Sequence, residues 1–248
     1  MSSEKPTILL IPGAWLPASA FEDVATILRA RGYPVQTMTL LSVGGPTSTT
    51  VADDAEDIRQ RYLNQLITEG KEVIVVMHSY SGIPGAESVK GLARKDLAAQ
   101  GKKGGVIGLI YITAFLITAG QSVASILGEY MDIAMSFDGD KVYPKDPQAK
   151  FYNDLEDEKA AKHVAELVYH AKASFYTPLT YEAYRDVPTT FLLCKRDASI
   201  PFEVQQGMAA AVGEGVVRTY TCEGAHCAML SVPQEVADVI DDTVINGV

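Results

Sequence analysis

The sequence predicts an α/β fold in which a mostly parallel central sheet is flanked by helices. Three observations point there. Short apolar runs rich in β-branched residues recur along the chain, and amphipathic helical stretches separate them. The residues best suited to covalent catalysis each fall just past one of these runs.

The runs, in order, are Thr7 to Ile11, Val35 to Leu40, Glu72 to Met77, Val106 to Thr113, Thr189 to Cys194 and Val216 to Thr221. Their near-continuous apolar character is that of strands covered on both faces. Between the second and third, Val51, Ala55, Ile58, Tyr62 and Leu66 recur at helical spacing after a Ser/Thr-rich start able to cap a helix. Pro233 to Ile245 is the expected closing helix. Ala93 to Gly105, ending in Lys-Lys-Gly-Gly, reads as an exposed loop or a frayed helix end.

From about residue 116 to 187 the strand alternation stops and aromatic residues concentrate, which predicts a helical lid insertion over the sheet. Within it Phe137 to Pro147 is turn-rich and polar. Glu156 to Lys172 is helix-forming, with an apolar stripe through Ala160, Val164, Leu167 and Val168. At 248 residues the chain reads as one domain spanning 1–248, with its core at about 1–115 and 188–248.

A formal net charge of −10 sets the surface field against phosphate backbones and anionic lipid headgroups, so nucleic-acid and membrane partners are not expected. The longest apolar runs fall well short of the roughly 20 residues that span a bilayer. The opening Met-Ser-Ser-Glu-Lys-Pro lacks the features of a signal peptide, and the expected location is cytoplasmic. The 3 cysteines, Cys194, Cys222 and Cys227, have no CxxC spacing and read as free thiols. With no Gly-rich phosphate loop after the first strand and no metal-ligand spacing, no cofactor and no metal are expected. The expected partner is a small-molecule substrate, and a homodimer remains open.

The chemistry begins after the third run, where His78-Ser79-Tyr80-Ser81-Gly82 leads into a helix-competent segment. A serine on a sharp strand-to-helix turn has its hydroxyl lifted above the sheet, at the positive end of the helix. This makes Ser79 the candidate nucleophile. The usual pattern is G-x-S-x-G; here Met77 and Ser81 occupy the outer positions, and Met77 requires extra room beside the strand or a relaxed turn. Asp197, just past Thr189 to Cys194, fits a triad acid. His226 follows the last strand on a short Gly-Ala approach and fits the base. Of the other histidines, His78 is expected to serve the packing of the turn, His163 to lie on a helix surface, and His170 in the lid is a candidate for entry into the pocket. The order Ser79, Asp197, His226 is that of a Ser-Asp-His triad on a parallel sheet.

Four segments are specific: Leu9-Leu10-Ile11-Pro12-Gly13-Ala14-Trp15, His78-Ser79-Tyr80-Ser81-Gly82, Cys194-Lys195-Arg196-Asp197-Ala198-Ser199-Ile200-Pro201 and Gly224-Ala225-His226-Cys227-Ala228-Met229-Leu230. Through them, and over essentially its full length, the sequence resembles the α/β-hydrolase superfamily, in particular the branch of plant methylesterases and hydroxynitrile lyases with their microbial relatives. The resemblance implies that Pro12-Gly13-Ala14 is the oxyanion loop, with the backbone N–H groups of Ala14 and Tyr80 as donors. The lyases of that branch carry a threonine in the oxyanion loop and a lysine after the catalytic histidine. Gly13 and Cys227 stand there in this chain, so the resemblance favours hydrolysis.

The expected activity is that of a serine hydrolase, cleaving a small or medium apolar ester, thioester or lactone through an acyl-enzyme. Trp15, Phe115, Leu127, Tyr130 and Phe175 are the candidate substrate-binding residues, with Leu116, Ile117, Met131 and Tyr176 as further pocket candidates. The alternatives are a lyase or C–C bond-cleaving enzyme on the same triad, and a non-catalytic ligand-binding homologue.

Overall fold

The computed structural model describes residues 5 to 246. Most of the opening segment read above for targeting, residues 1–4, lies outside them. Among the described residues nine strands form: β1 (Thr7–Ile11), β2 (Val35–Thr37), β3 (Glu72–His78), β4 (Gly105–Ile112), β5 (Met135–Asp138), β6 (Lys141–Pro144), β7 (His170–Ala171), β8 (Thr189–Cys194) and β9 (Arg218–Cys222). Six make a sheet of order β2-β1-β3-β4-β8-β9 in which every neighbouring pair is parallel. β1 and β8 are buried throughout and β3 at all but Glu72, as strands covered on both faces must be.

Because the strands run the same way, the segments leaving β1, β3, β4, β8 and β9 gather at one edge of the sheet. That edge is where open α/β sheets bind ligands. Helices complete the layers: Glu22–Ala30 packs against Pro233–Asn246, and Val51–Ile58 against Gly82–Ser88. Thr50 caps Val51–Ile58 through a reciprocal exchange with Asp53, and a π-helical turn at Arg59–Leu63 carries the helix on to Thr68.

Several boundaries differ from expectation. The second strand stops at Thr37 and the last begins at Arg218, because Gly213 and Gly215 take positive φ and hold the preceding segment in a turn. Ala93 to Gly105 contains a helix, Arg94–Ala99, closed by Gly101 at φ 72°. The lid departs most. Its helices are short, and it carries the antiparallel sheet β5-β6-β7, which the alternation did not reveal. The charged helix ends at Ala165, so Val168 stands exposed beyond it while His170 turns inward on β7. Among the described residues no helix is long and apolar enough to cross a membrane.

Candidate active site

β3 hands the chain directly to Ser79, whose φ of 55° lies in the left-handed region that a side chain seldom adopts. The neighbours hold it there. The Ser81 hydroxyl donates to the Ile11 carbonyl at 2.8 Å and accepts from the His78 N–H at 2.8 Å, tying the turn to the end of β1. Gly13 passes so near that a Cβ on it would stand 2.7 Å from the Ser79 Cβ. Room for Met77 comes from the following helix: a Cβ on Gly85 would lie 2.4 Å from the Met77 Sδ. Space that the usual motif leaves on the strand is here left on the helix.

His226 Nε2 lies 3.0 Å from the Ser79 Oγ, and His226 Nδ1 lies 2.7 Å from Asp197 Oδ2. All three residues are buried. An Nδ1–H given to Asp197 leaves Nε2 free to accept the serine proton. The carboxylate is held at both oxygens. Oδ1 accepts the backbone N–H groups of Ser199 and Ile200 at 2.6 and 2.8 Å, and Oδ2 accepts the Thr113 hydroxyl. Thr113 was not singled out from the sequence; its only signal was its place just past β4.

His78 links two parts of the site. The Gly13 N–H donates to its Nδ1 at 3.2 Å, so Nε2 carries the proton and donates to the His226 carbonyl at 2.9 Å. Burial pushes this imidazole well below its usual pKa, and the nearby His226 adds to the effect. Beneath Tyr80 lies a second buried group. The Tyr80 hydroxyl donates to Asp54 at 3.0 Å, and Ser42 donates its N–H and hydroxyl at 2.9 and 2.6 Å. Burial nonetheless pushes the Asp54 carboxyl up to about 6, outweighing the hydrogen bonds that favour its charge.

Ala14, Trp15, Tyr80, Phe115, Leu127, Tyr130, Phe151 and Phe175 help line a cavity of about 40 Å³ at Ser79. It adjoins an apolar groove of about 320 Å³, with Phe115, Leu127, Tyr130 and Ile200 common to both. The structure thus brings Trp15, Phe115, Leu127, Tyr130 and Phe175 to Ser79. It does not bring Leu116, Ile117 and Met131, which are buried in the core, or Tyr176, which is 53% exposed. His170 is also kept out. It packs behind Tyr80 and Phe175, with ring centroids at 4.6 and 4.5 Å, and burial pushes it down to about 3. His163 is partly exposed on its helix, beside Glu166 at 3.1 Å.

The lid grips the loops that carry the base and the acid. Phe151 stacks on Trp15 and sets its ring 5.2 Å from His226, while its carbonyl accepts the Cys227 N–H at 3.2 Å. Asp154 accepts the Ala225 N–H at 2.7 Å, and Asn153 donates to the Arg196 carbonyl at 3.0 Å. Phe151 and Lys150, which also lines the cavity, were missed because their short helix, Pro147–Phe151, has no periodic pattern of its own. All 3 cysteines are free and buried. Among the described residues no group of three or more His, Cys, Asp or Glu side chains is placed to hold a metal.

A model of the alpha/beta hydrolase family matches residues 8–239. The chain belongs to that family. Among relatives of this hydrolase, the probable hydrolase R7 of Phoma sp. is 30% identical, aligned over 95% of this chain and 97% of its own. Among solved structures, a pyrethroid hydrolase from Sphingobium faniae superposes with a TM-score of 0.74 at 22% identity, covering 96% of the hydrolase and 97% of its own chain. A methylesterase from Arabidopsis superposes with a TM-score of 0.70 at 20% identity, covering 96% and 98%. At these identities the two structures speak for the fold.

Proposed function

We propose that this hydrolase is a serine esterase, cleaving small or medium apolar carboxylic esters, thioesters or lactones through an acyl-enzyme. The observation that carries the reading is the run of contacts Ser79 to His226 to Asp197, closed at 3.0 and 2.7 Å at an apolar cavity. Ser79 Oγ attacks the carbonyl carbon as His226 Nε2 takes its proton, and Asp197 stabilises the imidazolium. The collapsing tetrahedral intermediate expels the alcohol or thiol, which receives that proton from the imidazolium; a lactone opens in the same way, its leaving oxygen taking the proton to become a hydroxyl still attached to the acyl group. Water, deprotonated by the same imidazole, then releases the acid.

The Ala14 and Tyr80 N–H groups are the donors for the oxyanion. Both residues line the cavity beside Ser79, and Tyr80 sits in the first turn after β3, where amides lack helical partners. Each such donor contributes on the order of 3 kcal/mol. The neighbours named as a methylesterase and a pyrethroid hydrolase support the reaction class. Hydrolysis is favoured over cyanohydrin cleavage because Cys227, a buried thiol, follows His226.

A fluorophosphonate reacted with the purified protein is expected to label Ser79, with turnover of p-nitrophenyl acetate. Ser79→Ala and His226→Ala should lower that turnover by roughly 10³-fold or more while the fold is kept. A folded protein that neither labels nor turns over the ester would overturn the reading.

A further inference from the structure

The cavity at Ser79 has one charged side chain in its wall, Lys150. The chain holds 31 acidic residues against 21 basic ones, so carboxylate partners are plentiful. Among the described residues none lies within ion-pair distance of Lys150. The Lys150 ammonium donates to the Tyr130 hydroxyl at 3.0 Å and sits 5.4 Å from the centre of that ring. Accepting that bond leaves the phenol with its own O–H to donate, and the ammonium has two further N–H bonds. Side by side, the two groups are a set of donors without an acceptor.

The remaining polar groups of the wall are largely spent. The Trp15 Nε1–H goes to the Val142 carbonyl at 2.9 Å, and the Tyr80 hydroxyl goes to Asp54. Apart from the Ser79 and Ser199 hydroxyls, what is left is apolar. Tyr130 is 38% exposed and its bond with Lys150 is open to solvent, so the pair stands where the apolar cavity meets water. Tyr130 also borders the groove of about 320 Å³, where the apolar body of a substrate fits.

We propose that Lys150 and Tyr130 form an anion-recognising end of the site, and that the preferred substrates are monoanionic esters with a carboxylate separated from the scissile carbonyl by an apolar spacer. This rests on the esterase reading of Ser79. The two donors hold the carboxylate, the apolar cavity wall between them and Ser79 takes the spacer, and the ester carbonyl reaches Ser79. Lys150 thereby selects among esters without entering the bond-breaking steps.

The test is a binding titration of the Ser79→Ala protein, followed by the emission of Trp15, the 1 tryptophan of the chain. The probes are the monomethyl esters of succinic, glutaric and adipic acids, each set against the methyl ester of the monocarboxylic acid of equal length. At least one half-ester should bind about tenfold more tightly than its neutral counterpart. Adding Lys150→Met should abolish that ratio, Tyr130→Phe should reduce it, and Lys150→Arg should keep most of it. Half-esters that bind no better than neutral esters, or a ratio that survives Lys150→Met, would overturn the proposal. Turnover by the intact protein separates the two readings: a half-ester that is bound preferentially while no ester is cleaved sinks the esterase and leaves the anion site standing.

Discussion

Met77 shows how one residue in an unusual place is accommodated by another. A thioether side chain occupies the position that the usual motif keeps small, and Gly85 on the following helix leaves the space it needs. Gly85→Ala should therefore destabilise the protein by about 1–3 kcal/mol through overpacking. The same change made together with Met77→Ala should cost much less, since the added methyl meets a shortened neighbour. Chemical denaturation of the two single variants and the double variant gives the coupling, and additive effects would refute the pairing. At this scale the sequence was most informative where a residue type had to stand next to a strand end. Ser79, Asp197 and His226 could be named in that way, and the structure places them in mutual contact. Thr113, Lys150 and Phe151 could not, because a threonine, a lysine and a phenylalanine carry no signal until the fold shows what they touch.

The elements of the parallel sheet were legible because each long strand is an unbroken apolar run. The lid strands were not: β7 has two residues, and β5 and β6 bury only Met135 and Val142 between turns. Such pieces hold their shape through neighbours instead of their own pattern. β7 does so around His170, whose Nε2 meets the Ser174 hydroxyl at 2.8 Å while Nδ1 has no hydrogen-bond partner among the described residues. This imidazole is pushed down to about 3 in the folded protein, against an ordinary value near 6.5. The folded state thus binds fewer protons than the unfolded one below pH 6.5, and stability falls as pH drops through that window. Between pH 7.5 and 5 the loss from His170 is about 2 kcal/mol. His78 acts in the same direction. Asp54 opposes them, since a carboxyl raised to about 6 favours the folded state as acid is added between pH 6 and 4. His170→Phe should make the difference in unfolding free energy between pH 7.5 and 5 smaller by about that amount, and an unchanged difference would refute the assignment.

Across the whole molecule, the lid and the sheet edge meet at Asn153, Asp154 and Phe151, which hold the acid loop and the histidine loop together. Composition announced an aromatic-rich insertion but not this grip, because hydrogen bonds to the backbone of distant loops leave no trace in local pattern. Asp154→Ala removes the acceptor of the Ala225 N–H. It should lower kcat for p-nitrophenyl acetate by about tenfold through poorer orientation of His226, with a much smaller change in KM. A rise in KM alone would show the lid acting only as a wall. The same grip makes the lid part of the catalytic frame: the segment that walls the cavity at Phe151 also bonds the backbone on either side of His226, so a change made to the substrate wall is felt at the base.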